Sequence, residues 1–160
     1  WKLWWAYRTW ECRHAALRFS DKFERMRGIK NMSPNELDVR QSILRRAHRW
    51  DEAQRCITEA LSWKDLEPHT EALLNIGLAD ILLRWNKQFP AVTAIERAEM
   101  LAWKIAALNP NQTVRIYRNC ANLYERLGEH SVAMSCRAKA LELARTHQLP
   151  GQELKIEVGL

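Results

Sequence analysis

The sequence predicts an all-α chain of helical hairpins with one long helix in front of them. Three observations carry this. Apolar residues recur in three- and four-residue steps along most of the 160 residues, the period of one face of an α-helix. Most of the five glycines and five prolines fall between those periodic segments, where such residues stop one helix and start the next. Small residues also return at matching places: Ala53 with Ala60-Leu61, and Ala133 with Ala140-Leu141. Recurrence of that kind marks an internal repeat.

Residues 1–28 read as a basic, Trp-rich helix. Trp4, Tyr7, Trp10, Ala15, Phe19, Phe23 and Met26 hold the helical step, and Gly28 ends it. Ser33-Pro34-Asn35-Glu36 carries the parts of a helix start: a capping hydroxyl, a proline suited to the first turn and a glutamate to close a capping box. The repeat region runs from 33 to 150, with hairpins over about 33–64, 69–109 and 111–149. In the first, a turn at Ala47-His48-Arg49-Trp50 joins helices ending near Arg46 and Trp63. In the middle one, helices are expected over about 70–86 and 93–108, the second carrying Ala98 and Ala102. Residues 151–160 read as a tail or the start of a truncated further repeat. The start at Trp1 rather than Met suits a fragment.

The last hairpin is the most ordered. Tyr117, Cys120-Ala121, Tyr124, Gly128, Ala133 and Ala140-Leu141 lie at fixed helical offsets, with Pro150 just beyond. Ala121 and Ala133 let two antiparallel helices approach closely, and Gly128 suits the turn between them. This order resembles the tetratricopeptide repeat family, over roughly residues 34–150. The resemblance implies a helical-hairpin repeat solenoid, a superhelix of about three hairpins whose concave face holds another chain. Ala53 and Ala133 are 80 residues apart, about 12 more than two units of roughly 34 residues take. Lys87-Gln88-Phe89-Pro90 falls in that excess, so an extended loop or lengthened helices are expected there.

The net charge is +6. Residues 1–30 hold eight bases against three acids, and the other 130 hold 17 against 16. Basicity thus belongs to the N-terminal segment, which weakens a nucleic-acid reading for the whole domain. No run approaches 18 apolar residues, the length needed to span a membrane. The four cysteines are scattered without metal-ligand spacing, which fits reduced thiols packed as small apolar groups in a cytoplasmic-type compartment. Cys120 and Cys136, on facing helices, are the one pair placed to approach each other. There is no phosphate-binding glycine loop, no nucleophile elbow and no zinc motif. The five histidines are dispersed. Catalysis, cofactors and metals are not expected.

The resemblance places Arg115, Arg118, Asn122, Glu125 and Arg126 at groove-facing positions, with Asn119 beside them. Arginine forks suit carboxylates, and asparagine can bond both sides of a passing peptide. The equivalent positions of the first hairpin hold Asn35, Asp38, Ser42, Arg45 and Arg46. The expected peptide groove is therefore Arg115, Arg118, Asn119, Asn122 and Arg126 at one end, and Asn35, Ser42, Arg45 and Arg46 at the other. Asp38 argues against a strict C-terminal carboxylate clamp. Asp80, inside an apolar run, is expected to pair with Arg84 four residues on. In the N-terminal helix, Trp1, Trp4, Trp5, Tyr7, Arg8 and Trp10 are candidates for contact with a membrane surface, since Trp, Tyr and basic residues favour its cytoplasmic boundary. The competing use of those aromatics is to cap the first repeat. The preferred function is a non-catalytic adaptor that binds a peptide or protein segment, acidic by preference of the groove. The alternatives are a membrane-associated assembly factor and an RNA-binding helical repeat.

Overall fold

A computed structural model describes residues 2–149, 151 and 152; for residues 2–11 and 13 only the backbone is described. Among these residues there are seven α-helices and one short 3-10 helix. They are α1 (Lys2–Arg27), a 3-10 turn (Ile29–Asn31), α2 (Pro34–Arg46), α3 (Trp50–Leu61), α4 (Pro68–Arg84), α5 (Gln88–Ile105), α6 (Pro110–Leu127) and α7 (His130–Thr146). Helices pair as hairpins, α2 with α3, α4 with α5 and α6 with α7. The chain divides into two compact units, residues 1–65 and 66–160.

The start of α2 has the predicted capping box. Glu36 N donates to Ser33 Oγ at 3.4 Å, and Ser33 N donates to Glu36 Oε2 at 2.7 Å. Gly28, with φ 74°, ends α1 as predicted. The hairpin turns share one device. His48, Asn86 and Gly128 have φ 59°, 57° and 83°, and in each case the next N–H reaches back over the turn. Arg49 N donates to Leu44 O, Lys87 N to Leu82 O and Glu129 N to Tyr124 O, at 2.9–3.0 Å. That is a left-handed C-terminal cap, which satisfies carbonyls the helix would otherwise leave open. Gln148 (φ 53°) repeats it after α7, where Leu149 N donates to Ala144 O.

These turns fix the repeat register. His48 to Asn86 is 38 residues and Asn86 to Gly128 is 42. Counted from them, Ala53, Ala91 and Ala133 are equivalent and all fully buried. So are Ala60, Ala98 and Ala140. The middle hairpin's first small residue is therefore Ala91, and Ala98 is its second. The excess around Lys87–Pro90 goes into longer helices: α4 and α5 have 17 and 18 residues against 13 and 12 in α2 and α3. Pro90 sits in the first turn of α5, where its missing N–H costs nothing.

In unit 1, the described C-terminal half of α1 is tied to α2 and α3 by charged groups. Arg40 of α2, only 4% exposed, donates through Nη1 to Ser20 O at 2.7 Å and to Ser20 Oγ at 2.6 Å. Its Nη2 pairs with Glu24 and lies 3.5 Å from Asp21 Oδ1. Arg49 joins Asp21 at 2.6 Å and Glu52 at 2.5 Å. The expectation of membrane association is overturned. Among the described residues no helix is long and apolar enough to cross a membrane. From residue 18 onward, Arg18, Asp21, Lys22, Glu24, Arg25 and Arg27 put charge on every turn of α1. The side chains of Trp1, Trp4, Trp5, Tyr7, Arg8 and Trp10 lie outside the described residues.

In unit 2, α6 packs on both α4 and α5, so the two hairpins stack on a shared core. Ile95, Ile116, Val114, Cys120, Ala121, Ala133 and Ala140 are its fully enclosed centre. Each large apolar side chain so enclosed contributes about 1.5–3 kcal/mol before the entropy of ordering the chain is counted. Small residues fill the places where helices meet, which is what permits the close approach.

Candidate binding face on α4 and α6

Helix α6 buries Val114, Ile116, Tyr117, Cys120, Ala121, Leu123 and Tyr124 and turns its polar stripe outward. Arg115, Asn119, Asn122 and Arg126 are spaced four, three and four residues apart, so they run along one side. Arg115, Asn122 and Arg126 are exposed, and Arg118 and Asn119 half-buried. Counted from the left-handed turns, α4 offers Leu73, Ile76, Asp80, Leu83 and Arg84 at the equivalent places. In contrast to α6, this stretch is mostly apolar.

The two helices meet through Asp80. Arg126 Nη1 donates to Asp80 Oδ1 at 2.5 Å, and Arg84 Nε lies 3.8 Å from the same oxygen. The predicted Asp80–Arg84 pair is present, with Arg126 as a closer partner that the sequence reading assigned to the groove instead. Glu125, the residue before Arg126, accepts from Arg137 of α7 at 2.5 Å. That bond, first of all, holds the Glu125 carboxyl below its ordinary value.

Toward the N-terminal end of α6 the picture changes. Among the described residues, Arg115, Arg118, Asn119 and Asn122 make no side-chain hydrogen bond or ion pair. Arg118 Nη1 is buried from solvent and has no partner. A buried donor left unsatisfied costs about 1–3 kcal/mol, so this end of α6 gains most from an incoming acceptor. Gln112 Oε1 is buried and unsatisfied as well, a position that sequence reasoning missed.

The first-unit set does not gather into one cluster. Ser42 Oγ accepts from Gln41 Nε2 at 3.1 Å, and Arg45 Nε donates to Gln41 Oε1 at 2.8 Å. Gln41 also donates to Asp38 at 2.8 Å. Asn35 instead lines an apolar cleft of about 330 Å³ with Phe19, Phe23, Val39 and Ile43. Arg46 lines another cleft, with Cys12, Leu17 and His48. Asn35 and Arg46 thus border α1, while Ser42 and Arg45 belong to the Gln41 string.

Among the described residues no group of three His, Cys, Asp or Glu is placed to hold a metal, and all four cysteines are free thiols. Comparison with protein-family models, curated proteins and solved structures finds no match to this chain. The likeness to the tetratricopeptide family is corrected accordingly. It rests on residue order in the hairpins, and spacings of 38 and 42 residues depart from about 34. What stands is coarser: an all-α architecture of helical hairpins following an N-terminal helix.

Proposed function

We propose that the chain is a non-catalytic scaffold that holds a protein segment with exposed carboxylates against the polar side of α6. The observation supporting this is the set of Arg115, Arg118, Asn119 and Asn122, which no group among the described residues satisfies, with Arg118 Nη1 already withdrawn from water. Arg126 and Arg137, by contrast, are spent on neighbouring acids. Two unpaired arginines and two asparagines along one side suit carboxylate oxygens and the N–H and C=O groups of an extended peptide.

The test is binding of an aspartate- and glutamate-rich peptide pool to the wild-type chain and to an Arg115→Glu, Arg118→Glu variant, after nuclease treatment. The expected result is selective loss of acidic peptides by the variant with an unchanged denaturant midpoint. Equal retention by both proteins would remove the α6 assignment.

A further inference from the structure

A second surface of unit 2 lies between the second helices of its hairpins. Residues of α5 (Glu96, Glu99, Met100, Trp103) and α7 (Lys139, Glu142, Leu143, Thr146) wall a cleft of about 600 Å³, and Tyr117 of α6 closes its base. Trp103 is 76% and Met100 45% exposed. Large apolar groups left in water beside a concavity characterise interaction surfaces more than ordinary ones.

The charges around the cleft are one-sided. Of the lining residues three are acids, and Lys139 alone is a base. Lys139 is already occupied: its Nζ lies 3.8 Å from Glu99 Oε1 and sits over the Tyr117 ring at 5.6 Å. Glu99 is turned inward, accepting from Tyr124 Oη at 3.4 Å and from the Cys136 thiol. Glu96 and Glu142 remain, one on each wall, both exposed and without an ion-pair partner among the described residues. An apolar trough with an uncompensated carboxylate on each bank suits an amphipathic helix with Lys or Arg flanking its apolar stripe. Apolar residues in steps of three and four would meet Met100, Trp103 and Leu143. An acidic or neutral helix would leave both carboxylates unanswered.

We infer that the α5–α7 cleft of this chain is a docking site for a basic amphipathic helix of a partner protein, separate from the polar side of α6. The probe is a synthetic helical peptide of about five turns, with leucines on one face and lysines beside them, titrated by fluorescence anisotropy into the whole chain. A control peptide carries glutamates in place of the lysines. The lysine peptide is expected to bind at least about tenfold tighter than the control. A Glu96→Lys, Glu142→Lys variant reverses that preference, and Trp103→Ala weakens binding of both peptides. Arg115→Glu with Arg118→Glu leaves the lysine peptide's affinity unchanged, which separates this inference from the α6 proposal. The same affinity for wild type and the charge-reversed variant would overturn it. So would a self-associated chain whose dimer depends on Trp103 and is not displaced by the peptide, since a second copy would then fill the cleft.

Discussion

Arg126 Nη1 and Asp80 Oδ1 lie 2.5 Å apart, and that contact joins the first helices of two successive hairpins. Residues equivalent by repeat position are used differently here. Asp80 occupies the place of Ser42 and Asn122, and it gives a structural use to an arginine that the sequence analysis expected in a groove. The Asp80 side chain is 17% exposed and that of Arg126 43%, so water screens the pair only in part.

A double-mutant cycle with Arg126→Ala and Asp80→Ala is expected to give a coupling of roughly 0.5–1 kcal/mol, the upper range for partly exposed pairs. Arg84 limits the loss, because it stands 3.8 Å from the same carboxylate. Urea melts at low and high salt read the coupling, which salt should reduce. Zero coupling at low salt would return Arg126 to the set available for ligand.

Ala121 and Ala133 are fully buried in the core of unit 2. Leucine at either position has no space and is expected to cost about 1–3 kcal/mol. Ala138, exposed on the same helix as Ala133, is the control, and Ala138→Leu should change the denaturant midpoint little. If Ala133→Leu were as harmless as Ala138→Leu, the assignment of Ala133 to the hairpin contact would fail.

The hairpins were legible because their small residues and caps are local signals. Gly128 announces a left-handed turn by its residue type, and Ser33-Pro34-Asn35-Glu36 announces a helix start. His48, Asn86 and Gln148 adopt the same backbone conformation without a glycine to mark it, so the middle register was obscured. Ala91, hidden one residue after Phe89-Pro90, is the equivalent that spacing alone did not reach. The candidate face on α6 was legible only by side. Which arginines are satisfied depends on partners distant in sequence: Asp80 and Arg126 are 46 residues apart, and no local pattern encodes that pairing.

Arg40 is the fastening of α1. Truncating one member of a buried ionic cluster typically costs 3–5 kcal/mol. Because Asp21 and Glu24 keep about a third of their side-chain surface in water, Arg40→Ala is expected to cost less, about 2–3 kcal/mol. Trypsin should then cleave sooner at Arg25 and Arg27, which lie in the last turn of the helix so released. An unchanged cleavage rate would mean that α1 is held by something other than this cluster.

Stability should fall on the acid side. Hydrogen bonding from Arg49 holds the Glu52 carboxyl below its ordinary 4.5, and bonds from Ser33 do the same for Glu36. As pH drops, the unfolded carboxyls take up protons before the folded ones. The stabilisation is therefore present above about pH 4.5 and lost as pH falls through the lower folded values. Denaturant midpoints between pH 6 and pH 3 read the loss, and Glu52→Gln should flatten the profile. A profile as steep in Glu52→Gln as in wild type would remove Glu52 as a source.

On the alkaline side the thiols and phenols of unit 2 act with the opposite sign. Burial, and then the hydrogen bond to Glu99, push the Cys136 thiol from 9.0 up to about 12. Burial pushes Cys120 well above its ordinary value and takes Tyr117 from 10.0 to about 12. The unfolded thiols ionise first as pH rises, so stability complete below pH 9 is lost progressively between 9 and 12. Cys136→Ala should retain more of its own neutral-pH stability at pH 10 than wild type does. Because the thiolate is the reactive form, a thiol reagent in native buffer should modify exposed Cys12 first and reach Cys56, Cys120 and Cys136 only as the chain unfolds. Four thiols reacting at one rate in native buffer would show that the three buried sulfurs are not enclosed as described, and the alkaline prediction would fail with them.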